Sequence, residues 1–170
     1  MRKKAVYVLS CIVILLLCLY VSPSVNAGSV EDEVLQVEKN WCKFFNNVDL
    51  ESMSSLYLHS PKTTEYTPNQ FSNGWDAVKA NMKTYFDMGL GTFNWKYFDT
   101  DVLILTDNVA IISGYHDMFE DPPGEIAPYS LILRFTLVLQ KIDGKWLIIH
   151  NNETRVETGS PTRTDVSPTS

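Results

Sequence analysis

The sequence predicts an α+β fold in which three N-terminal helices pack against a mainly antiparallel sheet. Up to residue 89, apolar residues recur every three or four positions, which is the spacing of amphipathic helices. After Gly91, the chain alternates in the manner of strands joined by short turns. Because the helices precede the long strands, we expect one antiparallel layer covering the helices rather than repeated strand-helix-strand units.

Three helices are predicted, over residues 30–48, residues 50–58 and a third segment that begins near residue 74. One short strand is predicted within residues 59–68, and residues 69–74 read as a loop. The predicted helix boundaries are caps at Ser29, at Asp49 and at Ser72 or Asn73, a stop at Ser60-Pro61 for the second helix and a stop at Gly89 for the third.

Four long strands are predicted in the second half of the chain. They cover residues 92–105, 109–120, 129–142 and 145–155, and Asp143-Gly144 forms a hairpin turn between the last two. The third of these strands has one wholly apolar side, which we expect to face the helices. That side consists of Leu131, Leu133, Phe135, Leu137 and Leu139.

The opposite side of that strand is half polar and half apolar, a composition that suits a partner subunit better than open water. We therefore expect a homodimer that forms through the sheet. The predicted interface residues are Arg134, Thr136, Val138, His150 and Asn152.

The N-terminus has the pattern of a secretory signal peptide over residues 1–27. Three basic residues precede an apolar run over residues 5–21, and Val25-Asn26-Ala27 forms a small-residue exit with cleavage expected after Ala27. A retained membrane anchor is the alternative, because that run is just long enough to cross a bilayer. We favour a secreted or periplasmic protein, not held in the membrane after cleavage, with a folded domain over residues 28–155 and a disordered tail over residues 156–170.

Removal of the signal peptide leaves 11 basic and 20 acidic residues, a formal net charge of −9, which argues against nucleic acid as a partner. Cys42 is the one cysteine that remains, so no internal disulfide can form, and we interpret it as a buried apolar residue. The histidines lack the spacing of a metal site. We predict neither a bound metal nor a cofactor.

The C-terminal hairpin, from Arg134-x-Thr136 through Asp143-Gly144-Lys145-Trp146 to His150, resembles that of SnoaL-like, nuclear-transport-factor-2-like domains. It is also similar to the association domain of calcium/calmodulin-dependent kinase II. Trp41 in the first helix and Gly74-Trp75-Asp76 at the start of the third fit the same pattern. The resemblance implies a cone-shaped roll, with a curved sheet wrapped around three helices, a pocket at the open end and frequent dimerisation through the convex side.

The chain departs from these families after His150, where Asn152 and Thr154 replace a second histidine and a serine. Alternation along the strands predicts that Ser113, Tyr115, Asp117, Leu147, Ile149, Asn151 and Glu153 point into the pocket. His116 and His150 then fall on the outer face. Aromatic residues, among them Tyr66 and Trp95, are candidates to line the pocket for an apolar ligand.

Two functions are compatible with these residues. We favour a dimeric, non-catalytic binder of a small apolar ligand or a partner, because no complete catalytic constellation can be assembled. The alternative is an isomerase or cyclase in which Asp117 or Glu153 is the general base, since an apolar pocket raises the proton affinity of a carboxylate. A purely structural association module is a third possibility.

Overall fold

The computed structural model describes residues 29–89, 92–121 and 129–156. The predicted signal peptide and all of the predicted tail beyond Val156 lie outside these residues. Three helices cover one face of a six-stranded, mostly antiparallel curved sheet, which is the predicted α+β architecture. Within the three described ranges, no helix has both the length and the apolar character needed to cross a membrane.

The first helix, α1, spans Val30–Asn46 and begins with the predicted cap. Ser29 Oγ accepts the backbone N–H of Asp32 at 3.2 Å, and Asp32 Oδ2 accepts the backbone N–H of Ser29 at 3.0 Å. This reciprocal capping box satisfies two N–H groups that lack partners inside the helix. The buried side of α1 carries Trp41 and Phe45 toward the sheet, as the apolar spacing predicted.

The second helix, α2, spans Leu50–Ser54 and is shorter than predicted. Asp49 caps it, as expected, by accepting the N–H of Ser52 at 3.0 Å. The chain then leaves helical geometry because the N–H of Leu58 donates to the carbonyl of Ile148, and the N–H of Ile148 donates to that of Leu56. Pairing with the last strand therefore ends α2 before the proline does.

A hairpin follows, made of β1 (Thr64–Thr67) and β2 (Gln70–Asn73). The prediction of one short strand was correct, but β2 was taken for a loop. The third helix, α3, spans Trp75–Asp87. Its N-cap is Gly74 at φ 86°, a left-handed position that favours glycine, so the predicted side-chain cap at Ser72 or Asn73 is wrong.

The four long strands are β3 (Thr92–Thr106), β4 (Val109–Asp121), β5 (Tyr129–Ile142) and β6 (Lys145–Arg155). Their bounds agree with the predicted strands to within one residue. The order across the sheet is β2-β1-β6-β5-β4-β3, and the β1–β6 pair is parallel. This parallel pair places the β1–β2 hairpin beside the end of β6, where it forms one wall of the pocket described below.

The face prediction for β5 is confirmed. Leu133, Phe135, Leu137 and Leu139 are buried against the helices, Leu131 is partly buried and Arg134 is exposed on the outer face. The core beneath α1 is rich in aromatic side chains. It includes Trp41, Phe45, Phe86, Phe93, Trp95 and Phe135.

The predicted inner face of β4 is wrong. Ser113, Tyr115 and Asp117 lie on the outer face, because they pair directly with Thr136, Arg134 and Ile132 of β5, and cross-strand partners share a face. The inner face of β4 instead carries Ala110, Ile112, His116, Met118 and Glu120, all buried. The sequence did not reveal this orientation, because the polar residues His116 and Glu120 lie on the inner side and apolar residues lie on the outer side.

A β-bulge interrupts β6. Leu139 pairs with Ile148 and Val138 pairs with His150, so Ile149 is one extra residue on β6. Before the bulge, Trp146 and Ile148 point inward, and after it Asn151 and Glu153 do so. The simple alternation used for prediction was therefore right for Asn151 and Glu153 and wrong for Leu147 and Ile149, which are only partly buried.

Candidate functional site

A pocket of about 550 Å³ lies between the helices and the inner face of the sheet. Its buried floor is largely apolar and includes Trp41, Phe45, Trp95 and Met118. Its rim is formed by the turn of the β1–β2 hairpin, the C-terminal end of α3 and the ends of β5 and β6. The exposed rim residues are Pro68, Asn69, Gln70, Met88, Tyr129 and Arg155.

Two buried carboxylates line this apolar pocket, Glu65 from β1 and Glu153 from β6. Glu65 pairs with Asn151 across the parallel β1–β6 ladder, and Glu153 lies two residues further along the same face. The two acids are therefore neighbours on one wall. Such groups are costly to bury as anions, so their presence in an apolar cavity demands a chemical reason.

Glu65 is held by two amides. Asn81 Nδ2 donates to Glu65 Oε2 at 3.0 Å, and Asn151 Nδ2 donates to Oε1 at 3.4 Å. Burial raises the pKa of Glu65 to about 7, and the charge of nearby Glu153 acts in the same direction, against hydrogen bonds with Asn81, Asn151 and Tyr57. Glu65 thus exchanges a proton near neutral pH.

Glu153 faces a buried histidine behind the pocket wall. His116 Nε2 lies 2.8 Å from Glu38 Oε1, and His116 Nδ1 lies 3.6 Å from Glu153 Oε1. All three side chains are nearly or fully buried, with His116 1% exposed. The histidine therefore connects a carboxylate of α1 to a carboxylate in the pocket.

The imidazole of His116 is clamped between aromatic rings. It stacks on Phe135 with centroids 4.2 Å apart and on Trp41 with centroids 5.2 Å apart, at interplanar angles of 10° and 9°. Burial alone would lower its pKa, but the interactions with Cys42, Glu153 and Glu38 outweigh burial and raise the pKa well above the usual value. The surroundings thus favour a protonated ring.

Cys42 completes this cluster from one helical turn beyond Glu38. Its Sγ lies 3.4 Å from Glu38 Oε1, and burial raises the pKa of the thiol to about 11, so it is a neutral donor. The ligand atoms of Glu38, Cys42 and His116 lie within 4.8 Å of one another, the kind of grouping that can hold a metal. However, two ligands of one zinc ion are roughly 3.3 Å apart. His116 and Glu38 are closer than that, at 2.8 Å, so their contact is a direct hydrogen bond rather than the spacing of two zinc ligands.

At the mouth of the pocket, the buried carboxylate of Glu120 accepts hydrogen bonds from the hydroxyls of Tyr85 and Tyr129. Burial raises the pKa of Glu120, and burial together with that carboxylate raises the pKa of Tyr129 to about 12. The three groups join α3 to β5 and hold both tyrosine rings in the pocket wall.

The structure brings part of the predicted site together. Trp95 and Glu153 line the pocket, and Asn151 holds Glu65 beside it. The predicted ligand-binding residues Ser113, Tyr115 and Asp117 lie on the outer face, where Ser130 donates to Asp117 at 3.3 Å. Tyr66 is 45% exposed and stacks on Phe71 outside the pocket, because it alternates with the inward-facing Glu65.

Four polar residues of the site were missed or misplaced by sequence reasoning. Glu38 lies on the apolar stripe of α1 between Val34 and Trp41, and a charged residue on such a stripe is a detectable signal. His116 was predicted on the outer face and is instead buried. Glu65 and Glu120 carried no distinct sequence signal. His150 does lie on the outer face, 2.7 Å from Thr64 Oγ1.

A helix-lined cone of this kind, with a pocket at its open end, defines the nuclear-transport-factor-2-like class of folds. Solved structures of that class match the chain. An NTF2-like superfamily protein of Salmonella enterica matches at 17% identity and a TM-score of 0.69, over 76% of this chain and 94% of its own. A candidate dehydratase of the same family from Streptomyces avermitilis matches at 15% identity and a TM-score of 0.67, over 75% and 96%.

A candidate calcium/calmodulin-dependent protein kinase II association domain from Xanthomonas campestris also matches, at 18% identity and a TM-score of 0.63, over 73% of this chain and 86% of its own. No curated protein matches the chain significantly in sequence. The model of the SnoaL-like domain matches residues 34–153. The chain therefore belongs to the SnoaL-like family.

Proposed function

We propose that this protein is an enzyme that transfers a proton to and from a small, largely apolar molecule, as isomerases and dehydratases do. The observation that carries the proposal is the pair of buried carboxylates, Glu65 and Glu153, in the wall of an apolar pocket. The pocket volume of about 550 Å³ suits a molecule of one to three rings.

Binding of an apolar molecule does not require either carboxylate. Removing a carboxylate from water costs several kcal/mol unless it is well paired, so two of them in one apolar cavity would only weaken a simple binder. Proton transfer does require such groups. A carboxyl with a pKa near 7 can both accept and release a proton at neutral pH, which is the property of an efficient general acid or base.

Two similar structures are consistent with such an enzyme. One similar structure is described as a candidate dehydratase, and a further one, from Novosphingobium aromaticivorans, as a candidate scytalone dehydratase. Dehydration removes a proton from carbon and delivers another to a departing hydroxyl, so it uses two proton-transferring groups. The same requirement fits the two acids of this pocket.

The test uses 5-nitrobenzisoxazole, a flat, apolar molecule that a carboxylate base opens in one step. The base takes the proton from the ring carbon, that carbon and nitrogen become a nitrile, and the N–O bond breaks to release a coloured phenolate. We expect the full chain to accelerate this reaction over free acetate, and expect Glu153→Gln to reduce the rate by about a hundredfold.

The matched control is Glu51→Gln, which removes an exposed carboxylate that pairs with Lys79 outside the pocket. We expect this variant to retain the full rate. Binding of the probe is followed separately, by quenching of the tryptophan fluorescence that Trp41 and Trp95 in the pocket floor contribute. Binding without acceleration, or an equal rate in Glu153→Gln, would overturn the enzymatic proposal.

Non-catalytic binding of an apolar ligand is the second candidate. Methionine side chains favour it, because they adapt to ligands of different shape. Four methionines, Met53, Met82, Met88 and Met118, line the pocket. Under this candidate, Glu65→Gln and Glu153→Gln would bind apolar probes more tightly than the unaltered chain.

We also propose that the mature protein is exported and dimeric. Residues 1–27 support export through their sequence pattern. The outer face of the sheet supports a dimer, because Thr136 and Val138 lie there half-buried beside Ile111 and Tyr115 of β4. A mixed polar and apolar surface of this kind is typical of subunit interfaces.

A further inference from the structure

The neighbours of the buried His116 determine how many of its ring nitrogens carry a proton. Nε2 of His116 faces Glu38 Oε1 at 2.8 Å, and Nδ1 faces Glu153 Oε1 at 3.6 Å. Both ring nitrogens thus face carboxylate oxygens. A carboxylate can only accept a hydrogen bond, so a ring that satisfies both must donate from both nitrogens and is then an imidazolium.

The surroundings of Glu38 support this assignment. Glu38 Oε1 faces two donors, the thiol of Cys42 at 3.4 Å and the ring of His116 at 2.8 Å. An oxygen that faces two donors acts as an acceptor and is not itself the protonated one, whereas Oε2 of Glu38 is buried without a hydrogen-bond partner in the described ranges. The aromatic faces of Trp41 and Phe135 on either side of the ring further favour a cation.

The contact between His116 Nδ1 and Glu153 Oε1 joins the ring to the pocket. Both atoms are fully buried, and neither forms a hydrogen bond with another group in the described part of the chain. They face each other 3.6 Å apart, which is a few tenths of an ångström beyond an ordinary hydrogen bond. Each is therefore the natural partner of the other, and Glu153 also lines the pocket.

Glu65 has no such cation. Two asparagine amides, from Asn81 and Asn151, hold its oxygens, and the hydroxyl of Tyr57 is a further neutral hydrogen-bonding neighbour. The two pocket carboxylates therefore differ in their environment. One is backed by a positive ring, and the other is held by neutral donors.

We propose that Glu38 and His116 form a positioning pair that places a positive ring behind Glu153, so that Glu153 removes the proton from a bound molecule while Glu65 delivers one. This inference rests on the proposed function and assigns roles within it. His116 does not itself line the pocket. It acts through Glu153, and Glu38 acts through His116.

The test measures the charge of His116 directly, by ¹⁵N NMR of the full chain labelled in its three histidines, with His116 assigned by its loss in His116→Gln. An imidazolium gives two similar ring-nitrogen shifts, and a neutral ring gives two widely separated ones. We expect the imidazolium pattern for His116 at pH 8. We expect the neutral pattern there for His150, whose pKa is lowered by burial.

Glu38→Gln and Glu153→Gln keep the shape of the side chain while removing the charge. We expect each to lower the pH at which His116 loses its proton by about one unit or more. The matched control is Glu120→Gln, a buried carboxylate on the same strand that contacts Tyr85 and Tyr129 instead. We expect it to leave the His116 signals unchanged.

A neutral ring at pH 7 in the unaltered chain, or no response to Glu153→Gln, would overturn the proposal whether or not the protein is an enzyme. Conversely, a charged and responsive His116 without acceleration of 5-nitrobenzisoxazole would support the pair and contradict the enzymatic function. Where turnover is observed, we expect His116→Gln to lower kcat with little change in KM. If that variant does not fold, Glu38→Gln provides the same kinetic readout, because Glu38 also acts on Glu153 only through His116.

Discussion

At the scale of single residues, the site depends on charged groups placed where charge is costly. Glu38, His116 and Glu153 are at most 6% exposed, and Glu65 is 3% exposed. Glu38 and Glu153 share His116 as a neighbour, whereas the hydrogen-bonding neighbours of Glu65 are neutral groups. The two pocket acids therefore differ in the charge of their nearest partners.

The protonation of Glu65 should be visible in the stability of the fold. Its pKa rises from 4.5 to about 7 on folding, so the folded state holds this proton more tightly than the unfolded chain. The stabilisation that comes from this tighter proton binding is fully present below pH 4.5 and is lost as pH rises through 7. We expect Glu65→Gln to remove this loss. The free energy of unfolding of the variant, relative to that of the unaltered chain, should therefore rise by roughly 2 to 3 kcal/mol between pH 5 and pH 8.

Urea unfolding at pH 5, 6, 7 and 8 measures this difference. Glu51→Gln, which removes an exposed carboxylate, is the control and should show no such gain. If the difference in free energy of unfolding between Glu65→Gln and the unaltered chain stays constant over this range, Glu65 is already ionised at pH 5.

At the scale of elements, the site depends on a close approach between β3 and β4. A Cβ at Gly114 would lie 3.1 Å from Thr100 Cα, where β3 is irregular between Phe98 and Asp101, and 3.1 Å from the ring of Phe135. Phe135 in turn stacks on His116. The absence of a side chain at Gly114 therefore leaves room for Phe135 to stack on the ring of His116.

We expect Gly114→Ala to destabilise the fold by about 1 to 3 kcal/mol, because an added methyl group in a packed interior must displace its neighbours. The ¹⁵N signals of His116 should also shift as Phe135 moves. Thermal unfolding and the histidine spectra measure the two effects. Gly144→Ala is a useful contrast, because its added Cβ meets no atom within 4 Å and its cost arises from the left-handed backbone at φ 79° alone.

Elements could be predicted from sequence where local patterns determine them. The capping box at Ser29 and the apolar side of β5 both follow from spacing, and both predictions agree with the structure. The β2 strand could not be found in this way, because Gln70–Asn73 is polar and pairs only through β1. The face of β4 was also missed, because burial of His116 depends on Glu38, a residue 78 positions earlier.

At the scale of the whole molecule, the two faces of the sheet differ in the residues they present. The inner face contacts the helices and forms the pocket, whereas the outer face presents Arg134, Thr136 and Val138. Because Tyr115 and Asp117 belong to the outer face, they join the proposed interface rather than the site. The proposed interface and the pocket carboxylates Glu65 and Glu153 thus lie on opposite faces of the sheet.

We expect the exported protein to begin at Gly28 and to be a dimer. Intact mass spectrometry of protein collected from the periplasm or medium of an expression host should give the mass of residues 28–170. Light scattering at tens of micromolar should give twice that mass. Val138→Glu adds a charge to the centre of the proposed interface and should yield a monomer with an intact pocket, since Val138 faces outward.

Leu105→Glu is the matched control, because Leu105 is exposed near the far end of β3. It should remain dimeric. A monomeric unaltered chain would contradict the dimer, and a mass that includes residues 1–27 would contradict cleavage.

The extra residue at Ile149 affects how residue roles are transferred between relatives. Counting onward from Trp146 assigns the inward direction to His150 and Asn152, whereas the residues that face the cavity are Asn151 and Glu153. An alignment that places a relative's strand against β6 without a gap at this position would match the base of one protein to a surface residue of the other. Functional comparison within the family should therefore begin from paired backbone positions on β5, which run without interruption from Leu133 to Val138.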